Sequence, residues 1–189
     1  MASTSDIRNG LCIFFKNDIY QIVQFQHVKP GKGPAFIRTK LKNLTTGRVI
    51  DNTFPSGARI DVVRVETRPY QFLYKDGENY VFMHTETYEQ IPIEPHFIEN
   101  PLLLKEGTEV KIAFHAEEER PITLELPSYV VQQLTYTEPG EKGNTASSTA
   151  TKLARTETGF ELQVPLFVNE GEEVKISTAD GKYMERIKK

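Results

Sequence analysis

The sequence predicts an all-β protein made of three small barrels, and three observations carry that prediction. Apolar and polar residues alternate with period two along much of the 189 residues. Turn residues recur at the short intervals of sandwich and barrel strands, with almost no helical periodicity between them. The strand signals also fall into three groups of similar length, residues 1–64, 65–128 and 129–189. Each is close to the smallest size at which a core holds without staples, so three small barrels fit better than one sandwich.

In the first group, DIYQIVQFQ (18–26) and AFIRTKLKNL (35–44) alternate cleanly, and TGRVIDNTF and ARIDVVRVE follow. The intervening HVKPGKGP reads as the tip of a hairpin. Its glycines, Gly31 and Gly33, permit backbone angles with φ above zero. Pro30 and Pro34 fix their own φ and disfavour helix in the residues before them, leaving a sharp loop with Lys32 at its tip and Lys29 at its base. The loop is longer than a two-residue Asn-Gly turn and cationic, so it reaches out from the barrel.

The second group opens with PYQFLYK, turns at Asp76-Gly77 and returns as ENYVFMH, a strong local hairpin signal. HFIENPLLLKEG is a short helical or irregular connection, and TEVKIAFHA and PITLELP are strands. Glu117, Glu118 and Glu119 between them read as a solvated turn. The third group is YVVQQLTYTEP, GFELQVPLFV, EEVKISTA and GKYMERI, with Asp180-Gly181 turning the last hairpin. Between its first two strands GEKGNTASSTATKLARTETG reads as one long loop.

Charge is uneven. Residues 1–64 carry ten Lys and Arg against four Asp and Glu, a net +6; residues 65–128 carry −8 and residues 129–189 carry −1. A basic first third on an otherwise acidic chain points to one end docking on a polyanion. Lys32 offers three donors on a flexible stem, suited to phosphate and sugar oxygens, and Arg38, Lys40 and Lys42 lie close enough in sequence to hold the surrounding backbone of a nucleic acid.

Catalysis finds no support. Gly-Lys-Gly lacks the spacing of a dinucleotide fingerprint or a P-loop, and neither a nucleophile elbow nor a zinc-protease helix is present. The single cysteine, Cys12, excludes an internal disulfide and reads as a small buried hydrophobe. The four histidines are scattered, so no metal or cofactor is expected. No apolar run is long enough to span a membrane and the first residues lack a signal-peptide core, which predicts a cytoplasmic protein.

Four stretches together, HVKPGKGPAFIRTKLKNL, YEQI, GEKGNTA and VPLFVNEGEEVKISTADGKYMERIKK, resemble bacterial translation elongation factor P over essentially the whole chain. The resemblance implies an N-terminal KOW/SH3-like barrel and two OB-fold barrels in an L-shaped, tRNA-like arrangement, acting as a monomer and not as an enzyme. It implies binding to the 70S ribosome between the peptidyl and exit tRNA sites, among rRNA and beside peptidyl-tRNA. There Lys32 approaches the tRNA CCA end and relieves stalling at consecutive prolines. In many members this lysine is extended by a modifying enzyme; the stiffer Gly33-Pro34 tip here predicts less need for extension. Gly143, Asn144 and Thr145 align with a Gly-Asp-Thr motif that contacts mRNA at the exit-site codon, with Asn144 in place of the aspartate. Tyr183 and Arg186 look like the family's pair near the peptidyl-tRNA anticodon stem, Arg186 suiting phosphate and Tyr183 equally suiting the core of the last strand. The competing readings are a general OB-fold RNA-binding or RNA-chaperone protein and an elongation factor P-like paralogue.

Overall fold

The computed structural model describes residues 2–139 and 150–187 and consists of three antiparallel sheets with three short 3-10 turns. The chain divides into two compact units, Met1–Arg68 with Ile112–Thr123 and Pro69–Lys111 with Leu124–Lys189. Among the described residues no helix is long and apolar enough to cross a membrane.

The first sheet contains β1 (Ala2–Ser3), β2 (Cys12–Phe15), β3 (Asp18–Val28), β4 (Phe36–Asn43), β5 (Val49–Pro55) and β6 (Arg59–Val62), in the order β1-β6-β2-β3-β4-β5. Period-two alternation sorts its side chains. In β4, Ile37, Thr39, Leu41 and Asn43 are buried while Arg38, Lys40 and Lys42 are exposed. Ile7, Ile13, Tyr20, Ile22, Ile37, Leu41 and Ile60 form the core of this barrel, and the rings of Phe15 and Phe54 pack edge to face at its margin. A two-residue turn joins β2 to β3 with Lys16 and Asn17 both left-handed, at φ 49° and 63°. Just beyond it Asp18 accepts hydrogen bonds from the Ile19 N–H (2.8 Å), Asn43 Nδ2 (2.7 Å) and Thr45 Oγ1 (3.0 Å). Burial pushes its carboxyl up, but these donors outweigh it and leave it below its ordinary range.

The alternating stretch ARIDVVRVE is not one strand. β6 ends at Val62, and at Val63 and Arg64 the chain leaves the first sheet for the second. The Val63 N–H donates to Cys12 O (2.9 Å), while Arg64 O accepts from the Ala116 N–H (2.9 Å). Cys12 is buried beside Ile19 and Ile122, and burial pushes its thiol up, so it packs as an inert apolar group.

The second sheet joins β7 (Val65–Asp76), β8 (Asn79–His84), β9 (Gln90–Ile93), β10 (Glu109–His115) and β11 (Arg120–Glu125) in the order β11-β10-β7-β8-β9. The Asp-Gly turn pairs Asp76 with Asn79 around Gly77 at φ 58°. The connection after β9 forms two 3-10 turns, Pro95–Phe97 and Pro101–Leu103, each opened by its proline. The triple-glutamate turn does more than meet solvent: Glu119 accepts two hydrogen bonds from Arg68, at 2.7 and 2.9 Å, and Glu66 a third at 3.0 Å.

The third sheet comprises β12 (Tyr129–Thr137), β13 (Thr151–Thr156), β14 (Glu161–Pro165), β15 (Glu173–Ser177) and β16 (Tyr183–Arg186), ordered β14-β13-β12-β15-β16. Strand β13 corrects the expectation of one loop over 140–159. Its inward positions are Lys152, Ala154 and Thr156, all buried; Lys152 and Ala154 pair with Val164 and Leu162 of β14, and Thr156 with Leu134 of β12. One small and two polar residues hide the alternation that marks an ordinary strand. Val130, Leu134, Leu162, Val164, Val174 and Ile176 fill the core, together with Leu103 from the 3-10 connection. Gln132, fully buried in their midst, donates from Nε2 to Leu102 O (3.1 Å) and accepts at Oε1 from Thr158 Oγ1 (2.8 Å).

Candidate functional site

Strands β3 and β4 pair from Tyr20 with Asn43 to Val28 with Phe36, with one bulge between Ile22 and Gln24, so residues 29–35 leave the sheet as a single finger. Lys29, Gly31, Lys32, Gly33 and Pro34 are exposed, while Pro30 and Ala35 are half-buried. Gly33 alone takes a positive φ, 121°, which an L side chain rarely adopts, whereas Gly31 does not use that freedom. The one heavy atom within 4 Å of where a Gly33 Cβ would lie is Cγ of Pro30, at 3.8 Å. The first proline thus closes against the second glycine, and Lys32 sits at the bend between them. At the foot of the finger the Ser56 N–H donates to Ala35 O (3.0 Å), tying it to the end of β5.

Below the finger the outer face of β4 continues the charge. Arg38 faces Gln26 and Thr53 across the neighbouring strands, Lys40 faces Gln24 and Asp51, and Lys42 faces Gln21 and Val49. Side chains two apart on a strand stand roughly 6.5–7 Å from each other, so the three cations form an evenly spaced row. The Arg38 guanidinium lies 5.6 Å from the centre of the Phe36 ring, which braces it. Phe36 was not expected as a site residue, although its i, i+2 spacing to Arg38 places both on one face. A depression of about 500 Å³ opens on this sheet, lined in part by Gln24, Gln26, Arg38, Lys40, Asp51 and Thr53. The structure therefore brings the sequence-predicted Arg38, Lys40 and Lys42 together on one face, beneath the finger that carries Lys32.

In the third sheet Tyr183 is half-buried and packs against the core, and burial pushes its hydroxyl up despite the pull of Arg186. Arg186 Nη1 donates to Glu172 Oε1 at 3.0 Å, and its guanidinium stands 5.5 Å from the centre of the Phe167 ring. Glu172 is itself oriented, because its other oxygen accepts from the Asn169 N–H (2.8 Å). Glu172 and Phe167 carry no sequence signal for this role, since both lie in the β14–β15 connection and only the β15–β16 pairing sets Arg186 beside it. Gly143, Asn144 and Thr145 lie outside the described residues. Among the described residues no three His, Cys, Asp or Glu side chains converge on a metal site.

Comparison with known proteins identifies the family. Residues 3–60 match the Elongation factor P (EF-P) KOW-like domain, residues 65–124 the Elongation factor P (EF-P) OB domain, and residues 130–186 the Elongation factor P, C-terminal family. Together these define a translation elongation factor built from KOW-like and OB-type barrels. The chain is 57% identical to Elongation factor P of Flavobacterium johnsoniae over all of both chains, and 52% identical to Elongation factor P 1 of Porphyromonas gingivalis, again over all of both. It belongs to the elongation factor P family. The fold is shared more widely: a translation initiation factor eif-5a family protein from Naegleria fowleri superposes with a TM-score of 0.51 at 17% identity, over 66% of this chain and 96% of that one.

Proposed function

We propose that this elongation factor binds the 70S ribosome between the peptidyl and exit tRNA sites and holds peptidyl-tRNA in place while consecutive prolines are joined. The single observation that supports this most is the finger of residues 29–35, which carries an exposed Lys32 beyond a row of three cations on the same hairpin. In this reading residues 1–64 act as the tRNA-contacting barrel, and residues 65–128 and 129–189 as the two OB-type barrels.

Arg38, Lys40 and Lys42 contact the ribose-phosphate backbone near the CCA end, and Lys32 reaches the terminal nucleotides. Proline is a poor acceptor and a poor donor, and a rigid prolyl chain leaves the reacting ester misplaced. Holding the tRNA end in an attack geometry removes part of the entropic barrier, a gain that reaches about 7–11 kcal/mol for ideally oriented groups. The ribosome supplies the chemistry, and Lys32 acts as a positioning residue. Its stem and charge are what the position requires.

In the third barrel Arg186 gives one nitrogen to Glu172 and keeps its remaining donors for a phosphate of the anticodon stem. Tyr183 supports it from the core side. Gly143, Asn144 and Thr145 are proposed to meet mRNA at the exit-site codon. Lys32→Ala tests the reading: it should abolish stimulation of Pro-Pro synthesis in reconstituted translation while leaving synthesis of proline-free peptides unchanged.

A further inference from the structure

The cation row on β4 contains an anomaly for a surface that only neutralises phosphates. Asp51 stands on β5 directly opposite Lys40, within the same depression. Neighbouring strands lie about 4.8 Å apart. Asp51 is nevertheless exposed, and among the described residues it takes part in no ion pair. A carboxylate here repels phosphate, and it can only accept hydrogen bonds. Around it stand groups that both donate and accept: Gln24 and Gln26 on β3, and Thr53 on β5.

This combination suits a ligand that alternates anionic acceptors with neutral hydroxyl donors. The ribose-phosphate backbone of RNA does so, because each nucleotide adds a 2′-hydroxyl to its phosphate. That hydroxyl is also what separates RNA from DNA at a protein surface. The net +6 of residues 1–64 supplies the complementary charge.

Resting on the RNA-contact reading above, we infer that the outer face of β3–β4–β5 is a ribose-reading surface. Arg38, Lys40 and Lys42 hold phosphates, Asp51 accepts a hydrogen bond from a 2′-hydroxyl, and Gln24, Gln26 and Thr53 complete the hydroxyl contacts. Asp51 is the specificity-determining residue: against DNA its carboxylate finds no donor and only repels.

The inference makes a prediction opposite in sign to plain electrostatics. Removing an acid from a basic face tightens binding to any polyanion if the acid is a bystander. If Asp51 holds a hydroxyl, its removal weakens RNA binding. The experiment measures affinities of the full chain for a short RNA hairpin shaped like a tRNA acceptor stem with a CCA end, and for the same hairpin made of 2′-deoxynucleotides. Both are read at low ionic strength, where backbone contacts are strongest. Asp51→Ala should weaken RNA binding by about tenfold, the loss expected for a hydrogen bond to a charged group, while DNA binding stays level or tightens. Asp51→Asn, which keeps an acceptor oxygen, should fall between. Asp51 is exposed, so both variants should melt with the wild type, which confirms that the fold is intact. Equal RNA affinity in Asp51→Ala, or tightening toward both hairpins, overturns the ribose inference and leaves the contact reading standing. Failure of the wild type to bind either hairpin overturns both.

Discussion

Replacing Gly33 with alanine perturbs the finger while adding a single methyl group. The backbone there sits at φ 121°, a region that L residues occupy only under strain. Crowding does not contribute, because the nearest atom to the new Cβ is Pro30 Cγ at 3.8 Å, an ordinary contact. The cost is therefore conformational, about 1–2 kcal/mol. Since residues 31–34 are exposed and bury nothing, the chain can avoid that cost by letting the tip leave its native bend. A penalty of that size reduces the population of the native tip by a factor of about 5–30. A factor that must dock with the tip formed then binds more weakly by the same factor, because apparent affinity scales with the competent fraction. The assay is a titration of Gly33→Ala in reconstituted synthesis of a Pro-Pro peptide. The half-saturating concentration should rise by about 5–30-fold, the rate at saturation should approach that of wild type, and the melting temperature should not move. A half-saturating concentration equal to wild type refutes the claim that a preformed tip matters.

Two further substitutions examine the frame. Gly181→Ala meets a clash as well as strain: φ is 68°, and the added Cβ would lie 2.8 Å from Phe160 Cζ, a ring packed against the third core. It should destabilise the protein by about 2–3 kcal/mol, seen as a lower midpoint in denaturant melts, whereas no loss would mean that Phe160 swings away freely. Asp18→Asn should remove a pH-dependent share of stability. The carboxyl lies below its ordinary value when folded, so its contribution is present above an unfolded pKa of about 3.9 and disappears as pH falls through the folded value. The melting-temperature gap between wild type and Asp18→Asn should be widest near neutrality and close in acid. A gap that stays constant with pH contradicts the hydrogen-bonded carboxylate.

Legibility of this fold in its sequence tracked how plainly each strand wears its alternation. FIRTKLKN shows β4 because every second residue is buried and, after Phe36, the ones between are all charged. The finger was equally plain, since prolines and glycines are local signals, although only Gly33 proved to need its freedom. β13 was invisible because Lys152, Ala154 and Thr156 face inward with none of the bulky apolar residues that announce a strand. Alternation slips by one residue at the adjacent Val62 and Val63, a slight mark of where the chain changes sheets; the hydrogen bonds of Val63 and Arg64 locate that change. The cations of the candidate site could be read in order, but their surroundings could not. Asp51 lies eleven residues beyond Lys40 and meets it only through the β4–β5 register, and Glu172 reaches Arg186 only because β15 and β16 form a hairpin.

The claim on which everything else depends is that a cation presented at the tip of residues 29–35 accelerates proline joining by placing the tRNA end. The most direct measurement is the rate of Pro-Pro bond formation on purified ribosomes with wild type, Lys32→Arg and Lys32→Ala at saturating concentrations. The account predicts near wild-type stimulation from Lys32→Arg, which keeps charge and reach, and the unassisted rate from Lys32→Ala. Full stimulation by Lys32→Ala would contradict it.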